Sequence, residues 1–150
     1  MKEIAFENFD GSGLKIGIVV ARWNSDLTYA LRDDCKKALL DAGLVLDNII
    51  VQEVPGAYEV VYGSKHLIEQ GVDAVVAIGC LIKGETMHFE YIAEAVSQGI
   101  MDLNTNTSVP VIFGILTCIS EEQARERSIG EKSHGYAWGQ SAIEMALLRK

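Results

Sequence analysis

The sequence lacks most features of fibrous, disulfide-rich or membrane-spanning chains. It contains only 2 prolines, which excludes a collagen-like or Pro-rich chain. Its 3 cysteines, Cys35, Cys80 and Cys118, include no CxxC pair, which argues against a disulfide framework and against a zinc site. No apolar run approaches the ~18 residues of a membrane span, and the first residues contain no apolar signal core. The sequence therefore indicates a protein of the reducing cytoplasm.

Positive charge is also scarce. Lys and Arg number 13 against 21 Asp and Glu, for a formal net charge of −8. Such a chain is a poor candidate for binding a nucleic-acid backbone or an anionic membrane. An anionic small molecule would need a local positive site. The length of 150 residues and the hydrophobic content of 49% predict one globular domain over residues 1–150.

Apolar runs and helical patterns alternate along the chain. The apolar runs predict strands over 15–21, 48–54, 73–82 and 109–116. Helical spacing of apolar residues predicts helices over 24–42, 57–70, 88–103, 120–128 and 134–148. Strands separated by helices run parallel, so the sequence predicts an α/β fold: a three-layer α/β/α sandwich with a four-stranded parallel sheet, flavodoxin-like in style.

Three local patterns add detail to this fold. Ser120 and Gln123 have the spacing of a capping box. Trp138, Ala142, Met145 and Leu148 form the expected apolar stripe of the last helix. The alternating segment 4–9 is a further candidate strand, which would pair with a sheet edge of its own chain or of a neighbour.

Side chains suited to ligand binding or catalysis follow the predicted strands. Ligands of an open parallel sheet bind outside the carboxyl ends of its strands. The sequence places six such residues at that edge: Trp23, Glu59, Lys83, Thr86, His88 and Phe113. The opposite edge carries residues typical of turns, so this asymmetry predicts a ligand site.

Each candidate also has a purely structural interpretation. Trp23 is suited to stacking a heterocycle or to core packing, which we expect for Trp138. His88 at a helix start is either a neutral proton acceptor or a hydrogen-bonding group of the loop. Glu59 either accepts from ligand hydroxyls or offsets the helix dipole. Arg127, from the residues alone, is a solvated surface charge.

The segment 84–86 (Gly-Glu-Thr) precedes a predicted helix. Exposed amides at a helix start attract phosphate; the alternative is a simple turn capped by Thr86. The stretch 79–86 approaches a P-loop, but Glu85 stands where a P-loop carries Lys. That substitution excludes an ATPase or GTPase.

Five segments, in order, resemble the lumazine synthase (6,7-dimethyl-8-ribityllumazine synthase) family. They are 21–24 (ARWN), 54–59 (VPGAYE), 79–91 (GCLIKGETMHFEY), 110–117 (PVIFGILT) and 142–146 (AIEMA). The third is highly specific, and the resemblance covers nearly the whole chain. It implies a step of riboflavin biosynthesis, in which 5-amino-6-(D-ribitylamino)uracil condenses with 3,4-dihydroxy-2-butanone 4-phosphate. It implies no metal and no organic cofactor.

The resemblance also implies which residues bind the pyrimidine substrate. Trp23 matches the aromatic residue that stacks on the ring, and riboflavin itself would bind there, as it does in some family members. Three residues match the segment that holds the ribityl chain: Ala57, Tyr58 and Glu59. Three match the largely backbone lining of the uracil: Cys80, Leu81 and Ile82. Phe113 matches an aromatic residue contributed by an adjacent subunit.

The phosphate and the protons are assigned in the same way. Glu85, through its N–H, and Thr86 match the phosphate-binding turn. His88 matches the proton-transfer residue. Arg127 matches a cation that binds the phosphate, an assignment that replaces the surface interpretation only by resemblance.

The segment 130–139 (GEKSHGYAWG) departs from the pattern of many bacterial members. It is similar to that of fungal-type members, which do not assemble into icosahedral shells. The identity of a second cation is therefore open between Lys132 and His134. Family members form pentamers, so the resemblance implies a homo-oligomer, either a pentamer or a decamer.

Two rival functions use a similar fold. A non-catalytic flavin or pteridine carrier would use Trp23 but would need no proton-transfer residue. A receiver-type signalling domain needs paired acids after the first strand and an Asp after the third. The sequence has Arg22-Trp23 and Lys83-Gly84 at those places, which excludes it.

Overall fold

Four parallel strands form the central sheet of the protein, which a computed structural model describes over residues 4–150. The strands are β1 (Ile16–Ala21), β2 (Ile49–Val54), β3 (Ala74–Ile82) and β4 (Val111–Cys118). Their order is β2-β1-β3-β4, and every neighbouring pair is parallel. The predicted α/β class and four-stranded parallel sheet are confirmed.

Five helices cover the two faces of this sheet. They are α1 (Ser25–Asp41), α2 (Val60–Glu69), α3 (His88–Asn106), α4 (Glu121–Ser128) and α5 (Gly135–Arg149). One core cluster joins α1, α4 and α5 to one face of β1 and β3. The other joins α2 and α3 to the opposite face. This arrangement is the predicted three-layer sandwich.

The fourth strand begins and ends later than predicted, at Val111 and Cys118 instead of 109 and 116. Pro110 has no N–H to donate to a ladder. Asn104 of α3 then exchanges hydrogen bonds with the backbone N and O of Val111, at 2.8 and 3.0 Å. With these bounds Phe113 is the third of the eight residues of β4, nearer the amino end of the strand than its carboxyl end.

The buried stripe of α5 also differs from the predicted one. Met145 and Leu148 are exposed, and the buried residues are Gly135, Gly139, Ala142, Ile143 and Ala146. These small side chains let α5 lie close to α1. A Cβ added to Gly135 would lie 2.3 Å from the Leu31 carbonyl oxygen. Trp138 is half-buried against the core, as predicted.

The two ends of the predicted capping box behave differently. The Ser120 hydroxyl accepts from the Gln123 N–H at 3.2 Å, as predicted. The Gln123 side chain, however, accepts from the N–H of Ile119 instead of that of Ser120. The predicted strand over residues 4–9 does not form within this chain, since the segment has no regular structure. Pairing with a neighbouring chain stays a prediction.

Asp73 joins three elements at the amino edge of the sheet. Its carboxylate accepts from the Lys15 N–H at 2.8 Å and from Arg149 Nη1 at 3.0 Å. Its side chain is only 15% exposed. We expect Asp73→Ala to lower the free energy of unfolding by about 1–2 kcal/mol, because it leaves these donors unsatisfied.

Urea denaturation at fixed protein concentration measures this change. Asp33→Ala is the matched control, since Asp33 pairs with Arg32 but is 65% exposed. We expect that control to change the free energy by less than about 0.5 kcal/mol. Equal effects of the two substitutions would contradict the prediction.

Candidate active site

A cleft of about 680 Å³ opens at the carboxyl edge of the sheet, between the ends of β1 and β3 and the start of α3. This volume lies within the ~300–1,000 Å³ of typical ligand sites. Its lining includes nine of the residues singled out in the sequence: Trp23, Ala57, Tyr58, Glu59, Cys80, Leu81, Ile82, Thr86 and His88.

Trp23 forms one wall of the cleft. Hydrogen bonds continue from β1 to β2 beyond the strand ends, from the Arg22 N–H to Val54 O at 2.8 Å and from the Trp23 N–H to Pro55 O at 2.9 Å. The backbone of Trp23 is therefore fixed while its side chain remains 75% exposed. Core packing, the structural alternative for this residue, is wrong. An exposed indole at a cleft is suited to stacking on a planar ring.

The end of β3 forms the floor of the cleft. The last pairing of β1 with β3 is Val20 with Ile78, whereas β3 continues beside β4 to Ile82. We call residues 79–82 the overhang of β3, because their β1-facing side extends past the end of β1. Backbone N–H and C=O groups on that side are suited to the donors and acceptors of a pyrimidine edge.

Asn24 is a cleft residue that sequence reasoning missed. Its side-chain Nδ2 donates to the Cys80 carbonyl oxygen in the overhang at 3.0 Å. Its φ of 61° lies in the left-handed region, which Asn tolerates better than most residues. An Asn directly after a strand and before a helix was the available signal. The residue links the Trp23 wall to the floor.

Cys80 contributes its backbone to the cleft. Burial raises the pKa of its thiol to about 12, so the thiol stays protonated at neutral pH. A protonated thiol is a weak nucleophile. The side chain is therefore part of the core beneath the floor.

The turn after β2 forms the wall beside Trp23. The predicted helix over 57–70 is a 3₁₀ turn, Ala57–Glu59, followed by α2. Gly79 permits the close approach of this turn to β3, since a Cβ there would lie 2.9 Å from that of Ala57. The Glu59 N–H donates to Gly56 O at 3.1 Å. The half-buried Glu59 thus lines the cleft with acceptor oxygens.

The rim opposite Trp23 is the loop Gly84–Met87, which leads into α3. His88 is the first residue of that helix and is exposed. The hydrogen bond from its N–H to the Thr86 hydroxyl is long, at 3.4 Å, so capping by Thr86 is weak. The first amide groups of a helix have no partner within it, and such groups suit an anion.

Other predicted residues lie outside this cleft. Its described lining does not include Glu85, Phe113, Arg127, Lys132 or His134. The expectation that Phe113 falls at the carboxyl edge is wrong, because Phe113 pairs with Ala77 in the middle of the sheet. Phe113 is 44% exposed and lines a separate groove of about 520 Å³.

Arg127, in the last turn of α4, and His134, at the start of α5, are neighbours. The His134 N–H donates to Arg127 O at 2.9 Å, and Arg127 Nη1 donates to Gln123 O at 3.0 Å. Burial, followed by repulsion from Arg127, lowers the pKa of His134 below its ordinary value. This shift favours the neutral form of His134 and so weakens it as a candidate for the second cation; both His134 and Lys132 are exposed.

Three further cleft residues come from α3: Phe89, Tyr91 and Ile92. Phe89 and Ile92 are apolar residues three positions apart in that helix. Helical spacing identifies the apolar residues on one side of a helix. It does not distinguish those that pack against the sheet from those in the first turn that line a cleft. Tyr91 is 69% exposed and adds an aromatic ring to those of Trp23 and Tyr58 in the lining.

Within residues 4–150, no three His, Cys, Asp or Glu side chains are grouped as a metal site. In the same part of the chain, no helix combines the length and the apolar character that crossing a membrane requires.

Fold and cleft define the class: an α/β protein with a ligand-sized cleft at the carboxyl edge of its sheet, lined by an exposed indole and an imidazole. Comparison with known proteins identifies the family. Residues 13–150 match the family model described as 6,7-dimethyl-8-ribityllumazine synthase. The chain therefore belongs to the 6,7-dimethyl-8-ribityllumazine synthase family.

Relatives of that name come from bacteria and from a fungus. The chain is 47% identical to the protein of Porphyromonas gingivalis over 142 residues, which covers 93% of this chain and 88% of the relative. It is 44% identical to that of Flavobacterium psychrophilum, covering 94% and 76% of the two chains. It is 39% identical to that of Pyricularia oryzae, covering 96% and 92%.

These similarities establish the function as well as the family. The protein is a lumazine synthase, a transferase of riboflavin biosynthesis. The comparisons offer no support for the alternative function of a non-catalytic flavin or pteridine carrier.

Proposed function

We propose that the cleft holds the pyrimidine substrate between Trp23 and the overhang of β3, and the phosphate of the second substrate at the loop Gly84–Met87. The observation that carries this proposal is that an exposed indole, the overhang of β3 and His88 all line one cleft. The ribityl chain then extends toward Glu59, whose carboxylate accepts from its hydroxyls.

This placement suits the chemistry of the condensation. The 5-amino group attacks the ketone, and loss of water gives an imine. A proton leaves the adjacent carbon and phosphate departs. The ribitylamino nitrogen then attacks the remaining carbonyl, and loss of a second water closes the second ring. His88 moves these protons, a contribution of about 10²–10⁴ in rate, and bringing the two molecules together supplies much of the remainder.

The direct test is to supply both substrates to the purified protein. We expect lumazine absorbance and fluorescence to appear faster than in the uncatalysed mixture. A folded protein that gives no signal above the uncatalysed rate would overturn the proposal. Retention of flavin affinity without turnover would instead support the carrier.

The charge of the cleft supports a site completed by a second chain. None of the described lining residues is Lys or Arg, whereas Glu59 is a carboxylate. A phosphate dianion needs a cation to bind well. Arg127, which does not line the cleft of its own chain, is the candidate to supply that cation from a neighbour.

The groove around Phe113 supports the same assembly. It is largely apolar, and its lining includes Met101 and Met145, which are 56% and 37% exposed. Exposed apolar faces of this kind are typical of subunit contacts. We therefore propose a homo-oligomer, a pentamer or a decamer, in which Phe113 reaches the cleft of the adjacent chain. Three buried free cysteines fit a reducing cytoplasm.

Mixed oligomers test this assignment. Arg127→Ala and His88→Ala chains should each be impaired alone, but co-expressed they should form some sites with both residues intact. If the two residues belong to adjacent chains, about one quarter of the sites are complete at equal mixing.

Native mass spectrometry measures the assembly, and lumazine formation measures the recovery. A mixture no more active than the average of the two single variants would contradict a shared site. Lys132→Ala in the same assay shows whether Lys132 acts as the second cation.

A further inference from the structure

One ion pair joins the two ends of the loop that bounds the cleft. Lys83 is the residue after β3, and Glu90 lies in the first turn of α3. Lys83 Nζ lies 2.6 Å from Glu90 Oε1. The backbone N–H of Lys83 also donates to Cys118 O at 2.9 Å. The pair therefore ties the start of α3 to a residue that is itself anchored to β4.

The loop Gly84–Met87 has weak contacts of its own. All four residues are exposed, and no atom lies within 4 Å of a Cβ built on Gly84. The bond from the His88 N–H to Thr86 is long at 3.4 Å. Among the described side-chain contacts, Lys83 with Glu90 is the ion pair that spans this loop.

Glu90 depends on Lys83 for its charge balance. The hydrogen bond from Lys83 lowers the pKa of the Glu90 carboxyl, so it is ionised at neutral pH. Its second oxygen, Oε2, is buried and has no hydrogen-bond partner in the described part of the chain. Without Lys83, an unpaired carboxylate would remain two residues from His88, beside the loop expected to hold phosphate.

We propose that Lys83 and Glu90 are positioning residues, whose ion pair holds the loop Gly84–Met87 and His88 in register for the phosphate-bearing substrate. Neither lines the cleft, so both act through the loop instead of touching substrate. This inference rests on the proposed function, in which the loop binds phosphate and His88 moves protons.

Three variants separate tethering from charge: Lys83→Met, Glu90→Gln and the double variant. All three lose the tether, and we expect kcat to fall about tenfold in each, since misplacing a catalytic group by ~1 Å can cost up to about 10²-fold. Only Lys83→Met leaves an unpaired carboxylate, so only there should KM for the butanone phosphate rise. Lys83→Arg retains the pair and should recover most of the lost activity.

Lys65→Met is the matched control. Lys65 pairs with Glu69 at 2.7 Å, but within α2 and away from the cleft lining. We expect its kcat and KM to equal those of the wild-type protein. Thermal unfolding of every variant shows whether a rate has changed without loss of the folded state.

Several results would overturn the inference. Lys83→Met with the kinetics of Lys65→Met would do so, as would equal KM changes in Lys83→Met and Glu90→Gln, which indicate a merely structural role. If Lys83→Met does not fold, kcat of Glu90→Gln decides: a wild-type value overturns the inference, and a tenfold loss supports it. A wild-type protein that makes no lumazine overturns the proposed function and this inference together.

Discussion

His88→Ala should lower kcat by about 10²–10⁴ with little change in the affinity for 5-amino-6-(D-ribitylamino)uracil. His88 lines the cleft as the first residue of α3, and its side chain is exposed. The substitution removes the group that moves protons but leaves Trp23 and the overhang of β3, which we expect to bind the pyrimidine. Single-turnover rates and substrate titration measure the two effects separately.

His66→Ala is the control for this substitution. His66 is exposed on α2, where its ring contacts the Gln70 side chain. We expect wild-type kinetics from that variant. Added imidazole should restore part of the rate to His88→Ala, since the position is open to solvent. A His88→Ala enzyme as fast as His66→Ala would remove His88 from the mechanism.

Trp23→Ala should raise KM for the pyrimidine substrate roughly 10- to 100-fold. Stacking of a base on an aromatic side chain contributes about 1–3 kcal/mol, and ~1.4 kcal/mol corresponds to a factor of ten. Because Trp23 is 75% exposed, its removal should change the free energy of unfolding by less than about 0.5 kcal/mol. Steady-state kinetics and urea denaturation measure the two quantities.

The matched control is Tyr62→Ala, which removes an aromatic side chain of equal exposure, 75%, from α2. Tyr62 does not line the cleft, so its KM should stay at the wild-type value. Trp23→Phe should fall between Trp23→Ala and the wild type. The same variants, titrated with riboflavin by flavin fluorescence, test the proposed flavin binding: affinity should fall with Trp23→Ala and persist in Tyr62→Ala. Equal KM values for Trp23→Ala and Tyr62→Ala would contradict stacking.

Much of the fold was predictable because its signals are local. β1 and β3 are buried along nearly their whole length, which a continuous apolar run indicates directly. The errors fell where tertiary contacts override pattern. Hydrogen bonds between Asn104 and the backbone of Val111 place the start of β4, and the closeness of α1 selects the small-residue stripe of α5.

The residues of the candidate site also divide into those that local sequence identifies and those that depend on tertiary contacts. Trp23, Glu59 and His88 were identified because each follows a strand, and parallel topology brings strand ends to one edge. Asn24 was missed because its importance lies in a side-chain bond to Cys80, 56 residues away. The ion pair of Lys83 with Glu90 was likewise invisible, since a spacing of seven residues across a loop has no fixed geometry.

The sequence by itself determined the order of strands and helices, the edge that carries the chemistry and the family resemblance. The elements follow from hydrophobic periodicity, and the edge follows from the right-handed, parallel connection of β–α units. The resemblance follows from the motifs. All three signals can be read along the chain. Only the tertiary structure decided that β3 extends beyond the end of β1 and that Phe113 and Arg127 lie outside the cleft of their own chain. Those facts depend on strand register and on distances between segments remote in sequence, which no local pattern specifies.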